Sequence, residues 1–298
     1  SAQSQAARPS NERAVEPFFG EHQAGIATAP QAHAMFLAVD LLPGNNSDTR
    51  TVRENLKSIL RLWTTDAARL TQGVPALADT EPELATSTAR LTVTAGLGPS
   101  AFAKAGLTHR CPASARDFPA FATDRLDKRW CGGDLLLQIC ADDMLLVAHT
   151  ARVLLKNVDG TVNPGAAELD SLLWHHDNGA PLTGDKESDE PDLTMTRGGI
   201  PVIPATSHIA LARHRNPHEK FLRRPYNFDD APLPGTSSNS GLIFAAYQRD
   251  IATQFVPVQQ RLSEKDEFNQ WNTAVGSAVF VMPPGTAEDG YLGRSLLD

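Results

Sequence analysis

Apolar runs of strand length alternate with helical segments in the first half of the chain, and this alternation limits the folds open to it. The patterns predict strands at 34–42, 90–96 and 134–140 and helices at 50–70, 98–105 and 142–156. The resulting order β-α-β-α-β-α indicates an α+β sandwich with an antiparallel sheet.

The second half has a less regular pattern. Residues 177–199 are polar and rich in Gly, Pro and Asp, and this stretch is too long for an ordinary connection. The other patterns predict strands at 207–212, 241–247 and 277–282 and helices at 251–262 and 266–274. We therefore expect a second α+β half.

Composition excludes several classes of partner. The 298 residues carry a formal net charge of −8, which disfavours binding to nucleic acid. No apolar run approaches the ~20 residues that cross a bilayer. The three cysteines form no CxxC motif, which argues against a zinc or iron–sulfur site. Cys111 and Cys131 flank a polar loop, and the sequence leaves open whether they form a disulfide.

The N-terminal residues are polar, rich in Ala and Ser, and have no hydrophobic centre. Residues 1–18 are therefore predicted to be a disordered arm, with the folded part beginning at Phe19. Such an arm is what remains after an export signal is cleaved, although a cloning remnant has the same composition.

Four short motifs carry the chemistry. They are GEHQAGI at 20–26, VDGTVNP at 158–164, SHIA at 207–210 followed by LRRPY at 222–226, and AYQRD at 246–250 before the strand at 276–280. Each motif alone has a structural explanation. Asp-Gly is a common turn, a strand histidine is most often a hydrogen-bonded core residue, and adjacent arginines are usually solvated. Their combination and order are more specific than any one of them.

Together the motifs resemble the dye-decolourising peroxidases, in particular the exported bacterial subgroup (type A), from about Phe19 to the C-terminus. The resemblance implies two ferredoxin-like halves with antiparallel sheets, in a dimeric α+β barrel-like fold with haem b in the C-terminal half. It divides the chain into the arm at 1–18, a first half at 19–156 and a haem-binding half at 157–298. It also implies a Tat-exported, extracellular or periplasmic enzyme that reduces hydrogen peroxide and oxidises bulky organic donors such as dyes or phenols.

The resemblance assigns His208 as the axial ligand of the haem iron and Asp266 as the carboxylate behind it. Such a carboxylate increases the donor strength of a ligating imidazole, although Asp266 suits a helix N-terminus equally well. The resemblance further implies Asp159 as the distal acid–base group. Arg223 is implied as the guanidinium that stabilises charge on the leaving oxygen. Because an ordinary Asp titrates near ~3.9, this predicts an acidic pH optimum.

The resemblance implies three further sets of cofactor contacts. Two arginines would meet haem propionates, two apolar side chains would cover the distal haem face, and two residues would form the turn after Asp159. These residues are Arg224 and Arg249, Leu242 and Phe244, and Gly160 and Thr161. An extended segment would point Arg224 away from Arg223. Electrons from bulky donors would pass through a surface aromatic residue, with Trp174, Trp271 and Tyr247 as candidates.

The sequence departs from the family pattern at two junctions. Lys156 stands where the family's GxxDG motif has its first glycine, and the helix before it runs directly into the VDGT sequence. Near 156–158 and 175–178, tens of residues that the family carries are missing. We therefore hypothesise that neither junction is a native peptide bond.

Two alternatives to a peroxidase stay open. One is a haem-binding or iron-releasing protein of low turnover, and the other is a haem-free α+β protein whose motifs are turns and core strands. Loss of peroxide activation with retention of haem in Asp159→Ala favours the enzyme. The absence of a haem absorption band would leave only the haem-free protein.

Overall fold

The computed structural model describes residues 14–42, 48–164, 169–172, 192–232 and 239–298. The first part contains β1 (His33–Leu41), α1 (Thr49–Leu70), β2 (Thr92–Leu97), α2 (Pro99–Lys104), β3 (Leu135–Ala141), α3 (Met144–Lys156), β4 (Val162–Pro164) and β5 (Leu169–Leu172). The second part contains β6 (Thr196–Arg197), β7 (Ile200–Pro201), α4 (His208–Ala212), β8 (Leu222–Asp230), β9 (Asn239–Tyr247), α5 (Ile251–Lys265) and α6 (Arg294–Leu297).

The strands of the first part form an antiparallel sheet in the order β2-β3-β1-β4, and β5 also pairs with β1. The alternation of strands and helices confirms the predicted order. Its elements begin and end close to the predicted residues. The chain is thus an α+β protein with antiparallel sheets, but the sheets of the described residues do not close into a barrel. The barrel-like closure expected from the resemblance is therefore not found in them.

Helices α1 and α3 pack against the sheet and bury the main core. Asp48 begins α1, because its carboxylate accepts a hydrogen bond from the Thr51 N–H at 2.8 Å. The apolar face of α1 is buried and includes Trp63, whose indole N–H donates to the Leu154 carbonyl of α3 at 3.0 Å. This bond joins the two helices over the sheet.

Both ends of the described chain pack on the first part. Phe18 is buried in the main core, and the Arg90 N–H donates to the Ala14 carbonyl at 2.8 Å. Leu97 of β2 and Val281 exchange two backbone hydrogen bonds, of 2.8 and 2.7 Å. Beyond them, three side chains of the C-terminal segment enter the same core: Tyr291, Leu292 and Leu297. Of the predicted disordered arm, residues 1–13 lie outside the described residues.

Three predictions for the second part were wrong. Residues 207–212 form helix α4, not a strand, because Ser207 precedes a helical turn in which its carbonyl accepts from the N–H groups of Ala210 and Leu211. The helix predicted at 266–274 is a 3₁₀ turn over Glu267–Gln270. The strand predicted at 277–282 makes only isolated bridges, since it pairs with two separate segments.

The chain runs from α3 into the following turn without a break in its hydrogen bonds. The N–H groups of Asn157 and Val158 donate to the carbonyls of Val153 and Leu155, both at 3.2 Å. The junction at 175–178 lies outside the described residues. The three cysteines are free, so the disulfide left open by the sequence is absent. Among the described helices, none combines the length and apolar character needed to cross a bilayer.

Candidate active site

His208 is the first residue of α4, and its imidazole is 57% exposed. Its Nδ1 lies 2.5 Å from Oδ2 of Asp266, which is the pairing predicted from the sequence. Asp266 is buried at the end of α5, and its other oxygen accepts from the Phe268 N–H at 3.0 Å. An ionised carboxylate only accepts hydrogen bonds, so Nδ1 carries the proton. Nε2 is then left with a lone pair that can bind a metal.

A single imidazole of this kind suits one type of metal site. Among the described residues, no three or more His, Cys, Asp or Glu side chains are grouped so that they could hold a metal ion. A metal bound at His208 would therefore need most of its ligands from elsewhere. The porphyrin of haem supplies four of these ligands. The protein then needs to provide one neutral imidazole whose other ring nitrogen, the one that does not bind iron, is hydrogen-bonded. The donor set at His208 fits this requirement.

The hairpin β8–β9 presents one exposed face beside α4. Pro225 and Phe244 are directly opposite each other in the register, as are Asn227 and Leu242, so these side chains share a face with Arg223. Leu242 is 52% exposed and Phe244 43% exposed. An open apolar face with a guanidinium at its edge is suited to a large planar ligand that carries charge.

Arg223 connects this face to the helix that carries His208. Its Nη2 donates to the Ala212 carbonyl, the last residue of α4, at 2.7 Å. Its guanidinium also stacks on the Phe221 ring, with 4.6 Å from Cζ to the ring centroid. The structure thus places Arg223 and His208 on two elements in direct contact.

Arg224 lies on the opposite face of the hairpin and is buried against the first part of the chain. It donates to the Thr28 carbonyl at 2.5 Å and to the Gln31 side chain, and it stacks on Tyr226. The predicted divergence of Arg223 and Arg224 is therefore present. Arg224 is buried, and its contact with a haem propionate stays a prediction. Arg249 is exposed beyond the end of β9, where its N–H donates to Gln254.

The VDGT turn is not brought to this face in the described residues. The Asp159 N–H donates to the Lys156 carbonyl at 3.2 Å, and Gly160 has a positive φ of 77°, as a tight turn requires. Thr161 Oγ1 donates to the Val158 carbonyl at 2.5 Å. No contact described in the structure joins Asp159 to His208 or Arg223. The role of Asp159 and Arg223 as a distal pair stays a prediction.

The GEHQAGI motif has a structural use. The buried Gln23 amide donates to the carbonyls of Ala95 and Pro283, at 2.9 and 2.8 Å, and accepts from the Ala95 N–H at 2.8 Å. Gly25 has a φ of 92°, and a Cβ there would lie 2.2 Å from Thr94 Oγ1. The motif therefore ties β2 to the C-terminal segment.

Among the candidate electron carriers, Trp271 is strongly exposed and follows the 3₁₀ turn after Asp266. Tyr247 is partly buried, and its hydroxyl donates to the Gln138 side chain. Burial raises the pKa of Tyr247, so its hydroxyl stays protonated. Trp174 lies outside the described residues.

One pair of residues near α4 was missed by the sequence analysis. Glu219 and Arg261 form a bidentate ion pair, with nitrogen–oxygen distances of 2.9 and 3.3 Å and only 9% and 12% of their side chains exposed. Burial raises the pKa of Glu219. The Arg261 guanidinium and the Arg215 N–H lower it further than burial raises it, so the net pKa is below the ordinary value. No local motif marks this pair, because its members are 42 residues apart.

Two family models match this chain. The model described as "Dyp-type peroxidase, N-terminal" matches residues 23–168, and "Dyp-type peroxidase, C-terminal" matches residues 174–287. A solved structure described as a DyP-type peroxidase from Cellulomonas bogoriensis is 39% identical. It superposes with a TM-score of 0.86, over 97% of this chain and 100% of that one.

Curated relatives extend the likeness. A dye-decolorizing peroxidase of Thermobifida fusca is 28% identical over 361 residues, covering 93% of this chain and 84% of the relative. A deferrochelatase of Shigella flexneri is 27% identical over 377 residues, covering 95% and 87%. Both alignments are longer than the 298 residues of this chain, so each relative carries segments that this chain lacks.

Proposed function

Because the chain belongs to the Dyp-type peroxidase family, it is an oxidoreductase of the peroxidase class, and we propose that His208 is the axial ligand of a bound haem b. The contact between His208 Nδ1 and the buried Asp266 carboxylate is the observation that carries this proposal. When bound, haem supplies the redox chemistry by which hydrogen peroxide is reduced to water at the expense of two electrons from a donor.

Asp266 has two tasks in this proposal. It holds the imidazole in the tautomer whose Nε2 lone pair is free, and its negative charge makes the ring a stronger donor to iron. Its second oxygen is engaged by the Phe268 N–H, which fixes the carboxylate in place. Because Asp266 is buried, water does not compete for the contact with His208.

Arg223 supplies the positive charge of the site. A guanidinium remains protonated at every working pH and can stabilise negative charge that develops on a leaving oxygen. Its place on the open face of β8–β9, beside Leu242 and Phe244, supports this assignment. Asp159 is proposed as the group that moves a proton between the two oxygens of peroxide, with support from the family motif and not from a described contact. Gly160 and Thr161 would shape its turn, and Arg249 would meet a propionate.

Reconstitution with haem tests the ligand assignment. Wild-type protein mixed with haem b should give a Soret band, and His208→Ala should lose it or shift it to that of weakly held haem. His214→Ala removes an exposed imidazole six residues away and is the matched control, with the wild-type spectrum expected. An unchanged spectrum in His208→Ala would refute the assignment.

Low-turnover haem handling is the second candidate, because one relative is named a deferrochelatase. Stopped-flow mixing with hydrogen peroxide and measurement of iron released to a chelator separate the two functions. For a peroxidase, Arg223→Ala and Asp159→Ala should retain haem and lose at least ~100-fold in the rate of reaction with peroxide. Iron release that persists while the peroxide reaction is absent in the wild type would favour the second candidate.

The electron donor and the cellular location are also proposed, the donor from the exposed Trp271 and the location from the resemblance. We propose bulky organic donors such as dyes or phenols, oxidised at the protein surface through the exposed Trp271. Trp271→Phe should then reduce turnover of a bulky dye while leaving the reaction with peroxide unchanged. Export to the periplasm or medium follows only from the resemblance to the exported subgroup. Fractionation of the source cells with an antibody against this chain tests it.

A further inference from the structure

We infer that Arg261, held in place by Glu219, is a positioning residue for His208 that acts by fixing the orientation of helix α4. This inference rests on the proposed role of His208 as the haem ligand. Neither Arg261 nor Glu219 contacts His208 in the described structure, so any effect on the ligand must pass through α4.

Helix α4 cannot hold its own orientation. It has five residues, little more than one turn, and its last carbonyl groups have no partner within the helix. Arg261 provides a partner for one of them and for the carbonyl of Arg213, the residue that follows α4. Its Nε donates to the Leu211 carbonyl at 3.4 Å, and its Nη2 donates to the Arg213 carbonyl at 3.2 Å. The guanidinium thus covers the C-terminal end of α4, where a positive charge is also favoured by the helix dipole.

Helix α5 therefore holds α4 at both ends. Asp266, at the end of α5, contacts His208 at the start of α4, and Arg261 contacts the carbonyls at the other end. Arg261 and Asp266 are five residues apart, about 7.5 Å along a helix, which is the length of α4 itself. Two contacts at this separation fix the orientation of α4 relative to α5, whereas a single contact would allow α4 to rotate about it. Loss of Arg261 removes two of the hydrogen bonds that hold this end against rotation about the His208–Asp266 bond and leaves the bond from Arg223 to the Ala212 carbonyl.

Glu219 keeps the Arg261 guanidinium in the geometry that reaches α4. Both of its oxygens accept from Arg261, and the Arg215 N–H and Asn216 amide bind them as well, at 2.9 and 3.3 Å. The carboxylate is thus fixed from two sides. A nearly buried arginine without this partner would turn toward water to recover its solvation. The two residues should therefore act as one unit.

The same helix also connects to the distal residue. Arg223 donates to the Ala212 carbonyl, which lies between the two carbonyls bound by Arg261. A rotation of α4 would therefore disturb the imidazole and the Arg223 guanidinium together. This links the positions of His208 and Arg223 to one ion pair that contacts neither of them.

The test uses the full-length, haem-reconstituted protein and the variants Arg261→Gln, Glu219→Gln and the double variant. The first readout is the rate at which haem b passes to excess apomyoglobin. We expect an increase of about tenfold for each single variant, as for other losses of support behind a metal ligand. The double variant should be no faster than either single one, because the pair acts as a unit. The second readout is the ferric absorption spectrum, which should shift in the same direction as that of Asp266→Asn, a variant measured alongside.

Arg129→Gln is the matched control, because it breaks the exposed ion pair between Arg129 and Asp127. This pair is far along the chain from α4. It should leave the haem transfer rate and the spectrum unchanged. A merely structural role for Arg261 would lower the melting temperature and leave both haem readouts at the wild-type values, and that result overturns the inference. If His208→Ala keeps the wild-type spectrum, the proposed function fails and the inference falls with it. If His208→Ala loses the spectrum while Arg261→Gln keeps it, only the inference is wrong.

Discussion

The two halves of the molecule place their apolar side chains differently. The buried residues of the main core cluster come from positions 18–162 and from the C-terminal residues 291–297. In the described region between them, Leu242 and Phe244 stay exposed beside α4, and Ile209 and Phe268 flank His208. The first half thus has a closed core, to which the C-terminal residues contribute. The second keeps an apolar face open next to its candidate ligand.

This difference teaches where stability and binding are located. Burial of apolar area stabilises a fold by ~25 cal/mol per Å², so the first half should carry most of the free energy of unfolding. The open face of the second half contributes little until something covers it. A planar, largely apolar cofactor would bury that area upon binding, so the proposed ligand would also stabilise the half that holds it.

The largest expected effect comes from removing a phenylalanine in each half. Phe102→Ala should lower the free energy of unfolding by about 3–5 kcal/mol, because the ring is buried in the first-half core. Phe244→Ala should change it by about 1 kcal/mol or less in haem-free protein, because that ring is half exposed. Urea unfolding of both variants measures the contrast. Equal losses would show that the halves do not differ in this way.

A smaller loss is expected at the connection between β2 and the C-terminal segment. Gln23→Ala should cost about 2–3 kcal/mol, because it leaves the Ala95 N–H and the carbonyls of Ala95 and Pro283 without their partner. Thermal unfolding followed by circular dichroism measures this loss. A near-wild-type melting temperature would mean that water replaces the amide and that the segment is held by its side chains alone.

Glu219→Gln tests the polar support of the second half. The pKa of Glu219 is lower in the folded than in the unfolded protein, so its contribution to stability is present above about pH 4.3 and is lost as the pH falls through the folded value. We expect a loss of about 1–2 kcal/mol at pH 7. This difference from wild type should shrink in urea titrations below pH 4. A difference that is independent of pH would rule out the ion pair as its cause.

The smallest effect is a gain, expected from a carboxyl group of the first half. Burial raises the pKa of Asp66 despite the hydrogen bond from Asn157, so the folded state favours the protonated form. Stability from this group therefore falls as the pH rises from about 3.9 through the folded pKa. Asp66→Asn should unfold at a higher temperature than wild type at pH 7 and at the same temperature at pH 3. The opposite trend with pH would contradict this sign.

The first half was predicted well because its signals are local. The buried face of α1 repeats along 22 residues, and β3 is apolar except for Gln138, so neither needed information from distant residues. The segment at 207–212 is too short for its period to distinguish a strand from a helix. Its state is decided by contacts with Asp266 and Arg261, more than 45 residues away along the chain.

The candidate site was predicted unevenly for the same reason. The family pattern and a carboxylate at a helix boundary led to the pairing of His208 with Asp266. Glu219 and Arg261 carry no such pattern, and only the packing of α4 on α5 brings them together. The meeting of Asp159 with Arg223 stays a prediction, and its turn adjoins a junction where the sequence departs from the family pattern.

The return of the C-terminal segment has a consequence for biosynthesis. Tyr291, Leu292 and Leu297 complete a core whose other members are synthesised by residue 162. When the first half has left the ribosome, its core therefore still lacks the three C-terminal side chains that cover one side of it. At roughly 10 residues per second, the missing side chains follow on the order of ten seconds later. During that interval the nascent first half exposes apolar surface that a chaperone can bind, and its final folding waits for the synthesis of Leu297.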